Sequence, residues 1–234
     1  MVRCFSATEL RHAAPEDLSE ILVAITSWID AAYYCLSRPH IRESEFAPFV
    51  ATNFPEPWRR SYLEKKYFRT DPLFADAAKS NLPVFRDETV APADPAAVEV
   101  VSERRTLGCR SAMVIPVRGR NSQFTVLSFW SREGLAAFRR RCDEYHDLVM
   151  SHVVYVHDIA GRDAASRARD ALSDIELECL RWTSLGKTAW AISVLLDVPE
   201  RTVHYHLAEA SKKLGAPNKT GAVGIAVRHG LLDW

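Results

Sequence analysis

The chain has 234 residues, of which 47% are apolar and 26% charged, and its 30 Lys and Arg residues are matched by 30 Asp and Glu residues. This length favours two domains, and the composition excludes a disordered chain because it supplies enough apolar side chains for a core in each. A formal net charge of zero also excludes a chain-wide field that would attract nucleic acid or a membrane surface. Any such partner has to be recognised locally.

The cysteines and the N-terminus indicate a cellular compartment. Five cysteines occur at wide spacing without a C-x-x-C pair, which is typical of reduced thiols in a cytosol. The N-terminal stretch lacks the apolar core of a signal peptide, and no segment approaches the roughly 20 apolar residues that span a bilayer. We therefore expect a cytoplasmic protein that makes no membrane contact.

The N-terminal half alternates helical and strand patterns. Helical spacing of apolar residues over 15–30 predicts an amphipathic helix, and "YYCLSR" and "PFVATN" predict strands. A second helix is expected in "PEPWRRSYLEKKYF". Asp71 as N-cap and Pro72 at the first helical position predict a third helix, and the short strand "PVFRDE" follows.

A hairpin and a long helix complete this half of the chain. "PAAVEVVSERRTLG" predicts a helix that ends at Gly108, and the strands "SAMVIPVRG" and "QFTVLSFWS" are separated by "RN". A long helix over 135–159 follows. This order predicts a mainly antiparallel sheet with helices on both faces, an α/β/α sandwich over residues 1–160.

The C-terminal part is helical throughout. Residues 161–170, "GRDAASRARD", are small or charged and predict a linker. Over 171–234, a capping box of Ser173 and Glu176 opens one helix, and "DVP" separates two further helices, "KTAWAISVLL" and "ERTVHYHLAEASKKLG". "TGAVGIAVRHG" supplies a fourth. The whole chain is thus expected to be an α+β protein with a four-helix helix-turn-helix domain at its end.

Two helices joined by a three-residue turn are the arrangement that places a helix in the major groove of DNA. Val203 and Leu207 share one face of the second helix and are expected to pack inward. The residues expected to contact DNA lie on its other side: Arg201, Thr202, His204, Tyr205, Lys212 and Lys213. The alternative is a four-helix domain whose polar face is merely solvated.

Two stretches carry a family resemblance. "LSDIELECLRWTSLGKTAWAISVLLDVPERTVHYHLAEASKKLG" closely resembles the DNA-binding domain of LuxR-type regulators. "NFPEPWRRSYLEKKYFRTDPLF", "LGCRSAMVIPVRG" and "FTVLSFWS" resemble the autoinducer-binding domain of quorum-sensing LuxR-type activators. The resemblance implies double-stranded DNA with an inverted-repeat operator and a small N-acyl homoserine lactone as binding partners, and it implies a homodimer and contact with RNA polymerase. The long helix over 135–159 is the candidate for the dimer contact, and simple packing on the sheet is the alternative.

The resemblance assigns roles to four residues. Trp58 would donate to the lactone carbonyl, Asp71 would accept the ligand's amide N–H, Tyr62 would line the head-group region and Ser128 would lie near the acyl carbonyl. Each residue also has a purely structural explanation. Asp71 is a natural helix cap, Trp58 and Tyr62 can be core aromatics, and Ser128 can bond to the backbone alone.

Two positions depart from the family pattern. Phe54 stands where the family usually has a tyrosine, and Arg86 stands where a tryptophan usually covers the lactone ring. A buried guanidinium destabilises the fold unless it is paired. Arg86 therefore pairs with Asp71 or Asp87, donates to a more polar ligand, or turns to solvent while Phe85 covers the ring; we rank the last first.

The expected function is that of a ligand-responsive transcription regulator, with no catalytic residues, metal or cofactor. No G-x-S-x-G elbow, phosphate loop or paired metal spacing of histidines occurs in the chain. One alternative is a regulator that binds a different small molecule, or none, and recognises DNA independently of acyl-homoserine lactone. Another is an interaction protein whose helix-turn-helix docks protein partners.

Overall fold

The computed structural model describes residues 3–38, 49–119 and 123–232. The chain forms two compact units whose main division lies between Ala160 and Gly161. Within the described ranges, no helix is both long and apolar enough to cross a membrane.

Among the residues described, the first unit contains five strands and six α-helices of its own, together with three short 3-10 helices. The strands are β1 (Tyr33–Ser37), β2 (Ala51–Thr52), β3 (Val84–Asp87), β4 (Ser111–Arg118) and β5 (Phe124–Ser131). The helices are α1 (Ala7–His12), α2 (Leu18–Ile29), α3 (Glu56–Glu64), α4 (Pro72–Lys79), α5 (Val98–Thr106) and α6 (Leu135–Glu144). Helix α7 (His146–Ala171) begins in this unit and ends in the next.

The strands form one sheet in the order β2-β1-β5-β4-β3, and every neighbouring pair is antiparallel. The predicted hairpin is β4–β5, with a register that runs from Ser111 opposite Ser131 to Arg118 opposite Phe124. Its predicted turn, Arg120 and Asn121, lies outside the described residues. The mainly antiparallel sheet expected from the sequence is confirmed.

Side chains alternate across the sheet and fill a separate core on each face. Leu36, Met113 and Phe129 face one side, where they pack with apolar residues of α2, α6 and α7. Val114 and Trp130 face the other side, where the core is completed by residues of α3, α4 and α5. This is the α/β/α sandwich predicted from the chain order.

The structure differs from the sequence prediction over 135–171. The single helix expected over 135–159 is two helices, because Tyr145 leaves the helical backbone conformation and its N–H caps α6 on the Arg141 carbonyl. Helix α7 then continues through the predicted linker as far as Ala171. Alanine and arginine are strong helix formers, so a segment poor in large apolar residues is still helical.

The second unit contains α8 (Asp174–Ser184), α9 (Ala189–Leu196), α10 (Glu200–Lys213) and α11 (Lys219–Arg228). The Ser173 and Glu176 capping box forms with both of its hydrogen bonds. Asp197 adopts the left-handed conformation with φ 53° and ends α9, which makes the sharp turn before α10. Val203 and Leu207 are buried against the other helices, as predicted.

Candidate ligand site and DNA-binding surface

Six side chains form a closed ring of contacts on the sheet face that α3, α4 and α5 cover. We call this set the sensor ring: Phe54, Trp58, Tyr62, Asp71, Arg104 and Trp130. All six are at most 7% exposed. Four of them, Phe54, Trp58, Tyr62 and Asp71, are ligand-site residues expected from the sequence.

The aromatic half of the sensor ring is held by direct ring packing. Phe54 stacks on Trp58 with 4.2 Å between centroids and meets Trp130 edge-on at 4.9 Å. Trp58 lies 5.0 Å from Tyr62, four residues later on the same face of α3. Tyr33 stacks on the outer side of Phe54 at 4.6 Å. A ligand acyl chain that enters this half has to separate rings that pack on one another.

Asp71 joins the aromatic half to the charged half, and it serves two purposes. Its Oδ1 accepts the Leu73 N–H at 3.1 Å and so caps α4, as the sequence predicted. Its Oδ2 accepts the Tyr62 hydroxyl at 3.1 Å and Arg104 Nη1 at 2.6 Å. Capping therefore does not exclude a place for Asp71 in the site.

Arg104 is the centre of a buried charge network. Its Nε donates to Glu88 Oε2 at 3.0 Å, in addition to the bond from Nη1 to Asp71. Burial by itself lowers the pKa of Arg104, but the Asp71 and Glu88 carboxylates raise it above its ordinary value. Burial and the Asp71 charge raise the pKa of Tyr62 well above its usual value, so the phenol stays protonated and donates.

The Arg86 side chain extends this network, and its surroundings correct the preferred expectation for the "PVFRDE" strand. Arg86 is paired with Ala112 in the β3–β4 register, which places it on the sensor-ring face. Its Nε donates to Glu88 Oε1 at 3.3 Å and its Nη1 bonds Asp76. Its side chain is only 19% exposed, so the expectation that Arg86 turns to solvent is wrong. It pairs with neither Asp71 nor Asp87, the partners considered from the sequence.

Phe85 lies on the opposite face of the sheet from Arg86, since consecutive strand residues point to opposite sides. It packs against the α2, α6 and α7 core and meets Phe138 edge-on at 6.5 Å. It therefore does not cover a ligand on the sensor-ring side, and its assignment as a ligand residue is corrected.

Ser128 lies on β5 on the same face as Trp130 and is 1% exposed. Its hydroxyl donates to the Cys35 carbonyl at 3.3 Å. The backbone bond considered as the alternative from the sequence is thus present. It leaves the hydroxyl's acceptor lone pairs free, and a hydroxyl can also rotate towards another acceptor.

Three buried donors of the sensor ring lack an acceptor in the structure. They are Trp58 Nε1, Trp130 Nε1 and the Nη2 group of Arg104. Buried polar groups in proteins are nearly always hydrogen-bonded, and leaving one unpaired destabilises a fold by about 1–3 kcal/mol. Three such donors in one ring of contacts mark a place where acceptors from outside the protein would be stabilised.

Sequence reasoning missed Arg104, Glu88 and Trp130. A signal for Arg104 was present, because it follows Val100 by four positions and Val101 by three, and both valines are buried on the inner face of α5. A charged residue in phase with the buried side of a helix indicates a buried ion pair. Trp130 lies two residues after Ser128 on the same strand, and side chains two residues apart in a strand point to the same face of the sheet.

The predicted DNA-contacting residues lie along the outer side of α10. Thr202 is partly buried, and the others are exposed: Arg201, His204, Tyr205 and Lys212. Tyr205 is 62% exposed. An exposed polar face on the helix that follows the turn is what a major-groove reader requires.

Lys213 has a structural partner. Its Nζ bonds both carboxylate oxygens of Glu176 at 2.8 Å and so ties the end of α10 to the start of α8. Burial would raise the pKa of Glu176, but Lys213 and Ser173 hold it below its ordinary value. Lys213 therefore contributes to the fold of this unit whether or not it also contacts DNA.

Comparisons with known proteins cover both units. Residues 14–160 match the family described as autoinducer binding domain, and residues 170–226 match bacterial regulatory proteins, luxR family. The transcriptional activator protein VanR of Vibrio anguillarum is 27% identical over 226 residues, covering 93% of this chain and 92% of that protein. The quorum sensing-dependent transcriptional regulator RpaR of Rhodopseudomonas palustris is 30% identical over 233 residues, covering 95% and 90%.

Solved structures show the same fold. A crystal structure of Escherichia coli SdiA has a TM-score of 0.63 at 22% identity, covering 97% of this chain and 96% of that one. A structure of SdiA in complex with octanoyl-rac-glycerol has a TM-score of 0.62 at 22% identity, covering 97% and 94%. With both family matches in place, the chain belongs to the LuxR family of quorum-sensing transcriptional regulators, proteins that join an autoinducer-binding domain to a DNA-binding helix-turn-helix domain and are not enzymes.

Proposed function

We propose that the chain controls transcription in response to a small acyl signal of the N-acyl homoserine lactone type, bound at the sensor ring. The observation that carries this proposal is the set of three buried donors without acceptors, on Trp58, Trp130 and Arg104. A ligand that supplies carbonyl oxygens removes that destabilisation, and the surrounding aromatic side chains desolvate its acyl chain.

Ligand binding acts on the stability of the sensor unit. A molecule that binds the folded but not the unfolded chain raises the free energy of unfolding by RT ln(1 + [L]/Kd), about 2.7 kcal/mol at a hundredfold excess over Kd. The expected active form is a cytoplasmic homodimer on an inverted-repeat operator, because a twofold protein matches a twofold DNA site. Contact with RNA polymerase would then convert DNA binding into transcriptional control.

The expected dimer contact along 135–159 has a competing role in the core. Val149, Val153 and Val156 of α7 are buried against the sheet, so one face of this helix is already used. Val154 is 59% exposed on the other side of α7. A dimer contact through α7 has to use this outer side.

Thermal shift measurements with a panel of N-acyl homoserine lactones test ligand binding. We expect a chain-length-dependent rise in the melting temperature of the full chain, and a smaller rise for Trp58→Phe, which keeps the ring but removes its N–H. Trp28→Phe is the matched control, because Trp28 is buried in the core on the opposite face of the sheet. No rise with any compound would refute the proposal.

DNA binding is tested by fluorescence anisotropy with an operator selected from random duplexes. Arg201→Ala and Lys212→Ala should weaken binding, and a lost phosphate contact should reduce the slope of log K against log salt by about 0.9. Arg167→Ala is the control, since Arg167 is an exposed arginine of α7 paired within its own helix to Asp163. Unchanged operator affinity in both recognition-helix variants would favour a protein-docking role instead.

A second candidate function is ligand-independent regulation, and one observation favours it. Arg104 already donates to Asp71, the acceptor assigned to the ligand's amide N–H, and the aromatic rings already pack on one another. A sensor filled by its own side chains holds its fold without a signal. Equal operator affinity with and without every compound, together with a high melting temperature of the ligand-free chain, would support this candidate.

A further inference from the structure

The sensor ring offers hydrogen-bond donors and few acceptors. Each oxygen of the two buried carboxylates already has a donor. Asp71 accepts from Leu73, Tyr62 and Arg104, which is three of the roughly four bonds that two carboxylate oxygens can accept. Glu88, which is 1% exposed, accepts Arg104 on one oxygen and Arg86 on the other.

The unpaired groups are all of the opposite kind. Trp58 Nε1, Trp130 Nε1 and Arg104 Nη2 can only donate, because neither an indole N–H nor a guanidinium accepts hydrogen bonds. Arg104 belongs to both groups of atoms, the donors that bond the buried carboxylates and the donors that have no acceptor. Its Nη1 bonds Asp71 while its Nη2 has no acceptor, and its Cζ lies 5.8 Å from the Trp130 ring centroid.

We infer that, among acyl lactones, the site binds most tightly one whose linkage presents acceptors but no N–H donor, so that an ester-linked acyl lactone is preferred over the amide-linked N-acyl homoserine lactone. This inference rests on the proposed binding of an acyl signal at the sensor ring. An amide ligand brings an N–H whose natural acceptor, Asp71, already accepts from Leu73, Tyr62 and Arg104. The N–H has to compete for the remaining acceptor capacity, and a buried N–H that is poorly hydrogen-bonded weakens binding. An ester ligand brings only oxygens, which the three free donors can contact.

The test is a matched pair of ligands that differ in one atom. N-octanoyl homoserine lactone and α-octanoyloxy-γ-butyrolactone, in which oxygen replaces the amide N–H, are titrated into the full-length protein by calorimetry, with the hexanoyl and dodecanoyl pairs in parallel. At the chain length that binds best, we expect the ester to bind about tenfold more tightly than the amide, the effect of one unpaired buried donor.

Two results would overturn the inference, and they differ in what they leave intact. If the amide binds as tightly as the ester or more tightly, the preference for a linkage without an N–H is refuted, while the proposed binding of an acyl signal stands. If neither member of any pair binds, both the preference and the proposed acyl signal are refuted.

A variant tests whether Arg104 is the cause. Arg104→Met frees Asp71 to accept, so the preference should reverse to favour the amide by about tenfold. The matched control is Arg105→Met, since Arg105 lies next to Arg104 on α5 but bonds the backbone carbonyls of Glu88 and Val90. An unchanged preference in Arg104→Met, or a reversal in Arg105→Met, would overturn the role of Arg104. If Arg104→Met does not fold, the wild-type ligand pairs still decide the inference.

Discussion

Removal of the Arg104 guanidinium is the sharpest perturbation of the sensor unit. Arg104→Met keeps an unbranched side chain of similar length and deletes the charge that two carboxylates share. The side chains of Arg104, Asp71 and Glu88 are 1%, 3% and 0% exposed. Water therefore does not replace the hydrogen bonds that the two carboxylates lose with the guanidinium. Loss of one partner from a buried ion pair lowers the free energy of unfolding by about 3–5 kcal/mol.

Lys65→Met provides the comparison, because Lys65 also bridges two carboxylates. Its Nζ lies 2.7 Å from both Glu99 and Glu103, but its side chain is 46% exposed. Pairs of that kind contribute about 0–1 kcal/mol, since water and salt screen them and the long side chains lose entropy. Each cation bridges two carboxylates at similar distances. The difference in burial is therefore the reason why Arg104→Met should lower the free energy of unfolding more than Lys65→Met.

Urea denaturation of the full-length variants, followed by tryptophan fluorescence, measures the difference. We expect Arg104→Met to shift the sensor transition to lower urea by several times the shift of Lys65→Met, with the transition of the helix-turn-helix unit unchanged. Adding Asp71→Asn and Glu88→Gln to Arg104→Met should recover most of the loss, because no uncompensated charge then remains buried. Equal shifts for Arg104→Met and Lys65→Met would show that the buried network does not stabilise the sensor.

Three further outcomes follow from other contacts. Lys213→Met should lower the free energy of unfolding of the helix-turn-helix unit by about 1 kcal/mol, since the buried Glu176 loses its partner while Lys213 itself is partly exposed; an unchanged unfolding curve with weaker DNA binding would assign Lys213 to phosphate instead. Burial lowers the pKa of His152 and His157, so the unfolded chain takes up more protons, and stability that is present above about pH 6.5 should fall on acidification. A flatter pH profile in His157→Gln checks the assignment, and an unaltered profile contradicts it. Arg86→Trp should lower sensor stability by about 1–3 kcal/mol, less than Arg104→Met, because Arg86 is partly exposed; a larger loss than in Arg104→Met would contradict this order.

The fold was predictable because its signals are local. Asp71 before Pro72 caps α4, and the Ser173 and Glu176 pair opens α8, as the sequence indicated. The order of helices and strands indicated one mainly antiparallel sheet with helices on both faces, and the structure has a core on each face. The break at Tyr145 was not predictable in this way, because the buried residues on either side, Phe138 and Cys142 before it and Val149 and Val153 after it, keep one helical period.

The site was less predictable than the fold because its charges pair across long sequence separations. Arg104 reaches Asp71, 33 residues away, and Glu88, 16 residues away. Sequence reasoning compared Arg86 with acidic residues near it in the chain or implied by resemblance, and Asp76 on α4 was not among them. Phe85 was misplaced for a local reason, since a strand residue next to one that faces the site has to face away from it.

The unpaired donors link the stability of the sensor to its response. A ligand-free ring with three buried donors lacking acceptors is less stable than its packing alone would make it, and an acceptor-bearing ligand removes that deficit. Trp58→Phe should therefore change the stability of the ligand-free sensor little but reduce its response to ligand. It loses some packing but also removes an unpaired N–H, so the ligand-free sensor should lose little stability, whereas the ligand-induced rise in melting temperature should shrink. If Trp58→Phe instead destabilised the free chain strongly and left the ligand response unchanged, the indole would be only a core residue.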